Sequence, residues 1–305
     1  MNAMPCRFDI AAAICLALLG GIACASAQPA NNPALAAASQ AKDLTFPDKA
    51  EPASALTRPR MALLKPDGAG PFPAIVMFHQ CSGLNTSMAD WAKLAVSRGY
   101  VVLLIDSLGP RNAKMVCMGP QNGVNLARGT RDALQAAQYL RSQPFVDKER
   151  VALAGYSWGA MVGLLSSSRR YAGQLNAGSG FQAVASFYPG CFSTTPQSGG
   201  RPFEIFNDDI GQPLLVLMGE ADTETPPSDC LPKLAKAKAA GLPVAWHVYP
   251  KTTHCWDCKH ADGHSKVDAR GNKVNYRYDP AVTKDSTERL FGFLAEKFGP
   301  ARKTP

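Results

Sequence analysis

The stretch that decides the fold is VALAGYSWGAMVG, residues 151–163. It opens as a short apolar run of strand type, turns through Gly155-Tyr156-Ser157-Trp158-Gly159, and continues in small, helix-tolerant residues. A serine between a buried strand and a helix sits in a tight, strained turn, and glycines two positions to either side let strand and helix approach without a Cβ clash. This setting makes Ser157 a candidate nucleophile; the alternative is a serine that caps the following helix.

On either side of this turn, short apolar runs alternate with helix-like stretches. Residues 61–64, 74–78, 100–105, 183–188, 214–218 and 244–249 read as strands, and residues 88–97, 125–142, 231–240 and 287–297 as helices. Strand and helix alternating in this way imply an α/β fold with a mostly parallel central sheet and helices on both faces. No internal repeat and no second domain is evident.

A serine hydroxyl is a poor nucleophile at neutral pH and requires a base with an orienting carboxylate. Two later strands end in such residues. The run 214–218 leads into Gly219-Glu220-Ala221-Asp222, and the run ending at Tyr249 leads into Pro250-Lys251-Thr252-Thr253-His254. The order serine, acid, histidine, each just after a strand, matches one known arrangement of a Ser-His-Asp triad. Among the other histidines, His247 lies inside a strand pattern, and His260 and His264 lie in a polar loop, so His254 is the candidate base. Glu220 is a candidate to modulate the site or to hold a turn. The N–H of Trp158, next after the nucleophile, is one expected oxyanion donor. The other is expected from the loop after residues 74–78, with the Gln80 N–H ahead of the Cys81 N–H; His79 reads as a loop-shaping residue. Arg111 is a candidate to bind a substrate carboxylate or to form a structural ion pair. Tyr156, Trp158 and Trp256 are candidates to line an aromatic pocket or to pack in the core.

The 305-residue chain is 46% hydrophobic and 18% charged, the balance of a globular protein with one large core. Its net charge of +8 comes from scattered Lys and Arg without runs, which argues against nucleic-acid binding. Residues 1–27 read as an export signal, with Arg7 before an apolar core and Ala25-Ser26-Ala27 as the cleavage pattern. The apolar stretch is too short for a stable membrane span and contains adjacent glycines. The expected location is therefore periplasmic or secreted. Residues 28–56 read as a flexible leader, 57–300 as the catalytic domain and 301–305 as a tail. Cys6, Cys15 and Cys24 would leave with the signal, and the remaining even set in an oxidising compartment favours disulfides.

Across residues 55–298 the chain resembles the dienelactone hydrolase family of α/β-hydrolases, in particular its exported, serine-containing relatives. The resemblance rests on His79-Gln80-Cys81-Ser82-Gly83, on Asp106-Ser107-Leu108-Gly109-Pro110-Arg111, on the Ser157 turn, on Gly219-Glu220-Ala221-Asp222 and on His254. It implies an α/β-hydrolase fold, no cofactor or metal, and cleavage of a small-molecule ester or lactone. The namesake enzymes use a cysteine nucleophile, and serine at 157 points to a more general carboxylic-ester hydrolase. The resemblance also implies Cys81–Cys117 and Cys191–Cys230 disulfides that brace the rim of the site. Cys255 and Cys258 adjoin the candidate base. With His260 and His264 they superficially suggest a zinc cluster, but the spacing from Cys258 to His260 is too short to wrap one tetrahedral ion. A local disulfide that stiffens the His254 loop is expected instead. Two readings from other classes compete: a non-catalytic binding protein on the same fold, and a thiol-disulfide exchange protein using Cys255 and Cys258.

Overall fold

The computed structural model describes residues 40–194 and 202–299. The candidate signal, Cys6, Cys15, Cys24, the first part of the leader and the tail from residue 300 lie outside the described residues. Strands β1 (Ala62–Leu64) and β2 (Phe72–Phe78) are followed by helix α1 (Thr86–Ser97) and β3 (Val101–Ile105). Helix α2 (Leu126–Ser142) leads to β4 (Val146–Tyr156), α3 (Trp158–Ser167), α4 (Arg169–Leu175) and β5 (Ala183–Phe187). A small ladder of β6 (Ser193–Thr194) and β7 (Phe203–Glu204) precedes β8 (Leu214–Gly219), α5 (Pro227–Ala239) and β9 (Val244–Tyr249). The hairpin β10 (Ser265–Val267) and β11 (Lys273–Asn275) comes before the last helix, α6 (Pro280–Phe298).

The main sheet has the order β1-β3-β2-β4-β5-β8-β9, antiparallel only at the β1–β3 edge. Its central strands are buried on both faces, which is why they read as continuous apolar runs rather than as alternations. One face packs under α2, α3 and α5 through residues such as Val76, Leu103, Leu134, Val162 and Leu234. The opposite face packs under α1 and α6 through Ile75, Trp91, Leu217, Leu290 and Leu294.

Helix starts follow side-chain caps. Asn85 accepts from Met88 N–H, Asn125 from Arg128 N–H, and Asp279 from the N–H groups of Ala281 and Val282, with Pro280 in the first helical position. These caps start α1 and α6 earlier than the apolar periodicity suggests.

The structure corrects the reading of residues 28–56 as a loose leader for the part it describes. Leu44 and Phe46 pack against the core, Leu56 is fully buried, and Tyr139 donates its hydroxyl to Pro47 C=O. Glu51 N–H donates to Leu63 C=O at 2.8 Å and Lys65 N–H to Glu51 C=O at 3.1 Å, so this segment extends the edge of the sheet. Apolar burial and paired backbone groups hold it in place.

Candidate active site

Parallel strands present their carboxyl ends at one edge, where loops can converge. Ser157 follows β4, Tyr188 follows β5, Asp222 follows β8 and His254 follows β9. Ser157 has φ 52° and ψ −111°, a strained conformation for a residue with a Cβ, and its N–H donates to Phe187 C=O at 2.9 Å. The turn closes because Gly155 and Gly159 have no side chains. A Cβ on Gly155 would lie 2.1 Å from Gly159 O, and one on Gly159 would lie 2.3 Å from Phe78 O. Both obstacles are backbone, so Gly155→Ala is expected to cost about 1–3 kcal/mol and to displace Ser157. A thermal melt paired with an activity assay checks this, and wild-type values in both would contradict it.

The structure brings together the three residues read as a triad. His254 Nε2 lies 2.9 Å from Ser157 Oγ, and His254 Nδ1 lies 2.7 Å from Asp222 Oδ2. Asp222 Oδ1 accepts the N–H groups of Glu224 and Thr225, both at 2.9 Å, and Oδ2 accepts the Thr225 hydroxyl at 2.8 Å. With four donors on its oxygens, the carboxylate is fixed in position and orients the ring. All three side chains are nearly buried, with residue exposures of 5% for Ser157, 3% for Asp222 and 2% for His254. Burial alone would push His254 down; the carboxylates of Asp222 and Glu224 outweigh it and raise the imidazole above the ordinary histidine value.

The loop after β2 is held by His79. Ser107 N–H donates to His79 Nε2 at 3.0 Å, so Nδ1 carries the proton and donates to Gln80 C=O at 2.6 Å. Burial lowers the His79 pKa, which keeps the ring neutral in this role. The His79 ring stacks on Trp158, and Gly159 N–H donates to His79 C=O, tying the loop to the start of α3. Trp158 occupies the first helical position, whose N–H has no acceptor within the helix. Gln80 and Gly83 form an isolated antiparallel bridge, with Gly83 N–H donating to Gln80 C=O at 3.0 Å, which closes the loop into a tight turn.

Cys81 is joined to Cys117, and Cys191 to Cys230, each pair with Cα atoms 4.9 Å apart. Cys255 is joined to Cys258, and the Gln80 side-chain amide lies 3.0 Å from both sulfurs and 2.9 Å from the Tyr188 hydroxyl. Two sulfurs bonded to each other offer no thiolate to a metal. Asp257 holds the same turn, accepting from Trp91 Nε1 at 2.7 Å and from the Tyr188 hydroxyl at 2.8 Å. Glu220 accepts Lys251 N–H at 2.9 Å and braces the loop after β9. A cavity of about 380 Å³, lined by Ser87, Asp90, Trp91 and His260, includes none of Ser157, Asp222 or His254.

Three substrate-binding candidates are corrected. Arg111 is buried, with its guanidinium on both oxygens of Asp132 at 2.7 and 2.8 Å and on Lys42 C=O, so its role is structural. Tyr156 is fully buried and packs against Phe187 and Trp91. Trp256 is fully buried against Tyr188 and Tyr249, and its Nε1 donates to Ser286. Large aromatic rings beside a site serve its support as readily as its lining. The residues that do surround His254 and were missed in the sequence are Tyr188, Thr225, Glu224 and Tyr276. Glu224 stands only two positions beyond Asp222, and Tyr188 directly follows a strand; these positions were the available signals.

The comparisons agree with this architecture. A putative carboxymethylenebutenolidase from Synechocystis is 23% identical over 178 residues, covering 55% of this chain and 68% of the relative. A putative dienelactone hydrolase from Klebsiella pneumoniae superposes with a TM-score of 0.56 at 16% identity, over 75% of this chain and 89% of the other. An esterase from Thermogutta terrifontis gives 0.57 at 16% identity, over 80% and 91%. The family model of the dienelactone hydrolase family matches residues 60–298, and the chain belongs to that family.

Proposed function

We infer that this chain is a serine hydrolase that cleaves a small or medium carboxylic ester or lactone through an acyl-enzyme. The observation that carries the reading is the continuous contact from Ser157 Oγ through His254 to Asp222, at 2.9 and 2.7 Å, with Ser157 at a positive-φ turn. In this reading His254 Nε2 takes the Ser157 proton as Oγ attacks the carbonyl carbon. The tetrahedral oxyanion accepts from the Trp158 N–H and from the Gln80 or Cys81 N–H. His254 then gives its proton to the leaving oxygen, and the carbon–oxygen bond breaks. Water, deprotonated by His254, attacks the acyl carbon; the acid is released and the proton returns to Ser157 Oγ. Asp222 remains ionised throughout and keeps the Nδ1–H tautomer.

Esterase 2 of Thermogutta terrifontis has been captured phosphonylated by cyclosarin and phosphorylated by paraoxon. By analogy, a fluorophosphonate is expected to add once to this protein, by intact mass, and not at all to Ser157→Ala. No adduct on folded wild-type protein would overturn the reading and favour a binding protein on the same fold. Thiol-disulfide exchange is disfavoured because Cys255 and Cys258 are both buried, beyond reach of an attacking thiolate. Export to the periplasm or beyond belongs to the same proposal, supported by the signal pattern and by three disulfides. A mature N-terminus at Gln28 in the recovered protein is the expected result.

A further inference from the structure

His254 Nε2 faces a second polar group besides Ser157. Glu224 Oε2 lies 3.7 Å from this nitrogen, on the side of the ring opposite the Asp222 contact. The Glu224 side chain is only 13% exposed and is held in place: Tyr276 donates its hydroxyl to Oε2 and Lys266 Nζ donates to Oε1, each at 2.7 Å. Tyr276 and Lys266 belong to the β10–β11 hairpin region, so a separate element fixes the carboxylate beside the imidazole.

The position matters because Nε2 is the atom that would pass a proton to the leaving oxygen. That oxygen must come within hydrogen-bond reach of Nε2, so the alcohol part of an ester passes within a few ångströms of Glu224. We propose that Glu224 acts on His254 from its reactive face, as a positioning carboxylate, and makes the site favour esters with uncharged or cationic alcohol parts over those carrying a carboxylate. This rests on the Ser157–His254–Asp222 reading.

The charges around the ring support the sign. Burial alone would raise the Glu224 carboxyl, but His254, Lys266 and Tyr276 outweigh it and hold it below the ordinary glutamate range, ionised at neutral pH. Asp222 faces the ring from the loop after β8 and Tyr188 from the end of β5, while Asp257, on the His254 loop itself, accepts the Tyr188 hydroxyl. Tyr276 approaches from beyond β11, and Arg270, in the hairpin turn, donates to Glu224 C=O. Lys266 is the opposing charge, and its effect on His254 is smaller than that of Glu224.

The test uses two variants with opposite expected signs. His254 must be neutral to act as base, so kcat/KM rises with pH through its pKa. In Glu224→Gln this acid limb is expected to move to lower pH by about one unit, because a neighbouring carboxylate is gone and Lys266 remains. In Lys266→Met it is expected to move to higher pH. The substrates are butyrylcholine, butyl butyrate and the butyrate ester of a hydroxybutanoate, which share one acyl group and are followed by pH-stat. Relative to butyl butyrate, kcat/KM for the carboxylate-bearing ester is expected to rise about tenfold in Glu224→Gln and to fall in Lys266→Met. Loss of a merely structural contact would change both variants in the same direction, and that result overturns the proposal. So does an acid limb and a substrate ratio unmoved in Glu224→Gln while Ser157-dependent turnover persists. Turnover that survives in Ser157→Ala instead overturns the serine-hydrolase reading and removes the basis of this one with it.

Discussion

Asp222→Asn is expected to leave the domain folded and to lower kcat for ester hydrolysis by about 10⁴-fold. The reason is the direction of the hydrogen bonds at this side chain. Oδ1 accepts two backbone N–H groups, from Glu224 and Thr225, so an asparagine keeps its carbonyl there. Its amide group then takes the Oδ2 position, 2.7 Å from His254 Nδ1. A donor at that place forces Nδ1 to accept, and the imidazole proton moves to Nε2, the nitrogen that faces Ser157 Oγ at 2.9 Å. The ring can no longer take the serine proton. The change is nearly isosteric, so circular dichroism should match wild type while kcat collapses, with partial recovery at high pH. A loss of less than tenfold in folded protein would mean that Asp222 does not set the tautomer.

The parts of this site that were legible in the sequence are those fixed by the chain locally. A strand, a glycine-flanked serine and a helix in residues 151–163 specify the turn, because the backbone approach of Gly155 to Gly159 excludes any side chain. Asp222 and His254 were legible for a related reason: each follows a run that reads as a strand of the parallel sheet, β8 inside it and β9 at its edge, and both strands end on the same side. Arg111 shows where this local logic stops. Its carboxylate partner, Asp132, stands 21 residues later on another element, and no spacing rule connects an arginine in a loop with an aspartate on a helix. The same holds for Lys266 and Tyr276, which reach Glu224 only because the β10–β11 hairpin folds back over the acid loop. Leu44, Phe46 and Leu56 were overlooked within a stretch rich in Ala and Pro, since isolated apolar residues without a period give no sign of docking on an existing core.

Asp132→Ala is expected to destabilise the domain by about 3–5 kcal/mol, which lowers Tm by about 10 °C for a protein of this size. Asp132 is fully buried between two guanidiniums. Arg111 contacts both of its oxygens, at 2.7 and 2.8 Å, and Arg128 contacts Oδ1 at 2.6 Å from the preceding turn of the helix. The Ser107 hydroxyl donates to the same carboxylate. Alanine removes the negative centre and leaves cationic side chains in a place with little water, the costliest way to disturb a buried ion pair. The loss would reach the site as well, because Ser107 N–H bonds His79, which in turn holds Gln80. A lower kcat is therefore expected in the variant even below its melting range. Two contributions can be separated by replacing all three buried ions with apolar residues of similar size, Arg111→Met and Arg128→Met with Asp132→Leu. If the cost lies in the stranded charge, the triple variant should recover much of the lost stability, since no guanidinium is left beside the missing carboxylate and the buried ions themselves add little net. If it melts as low as Asp132→Ala, the network stabilises the fold through its geometry, by joining Lys42, Ser107 and helix α2 at one point.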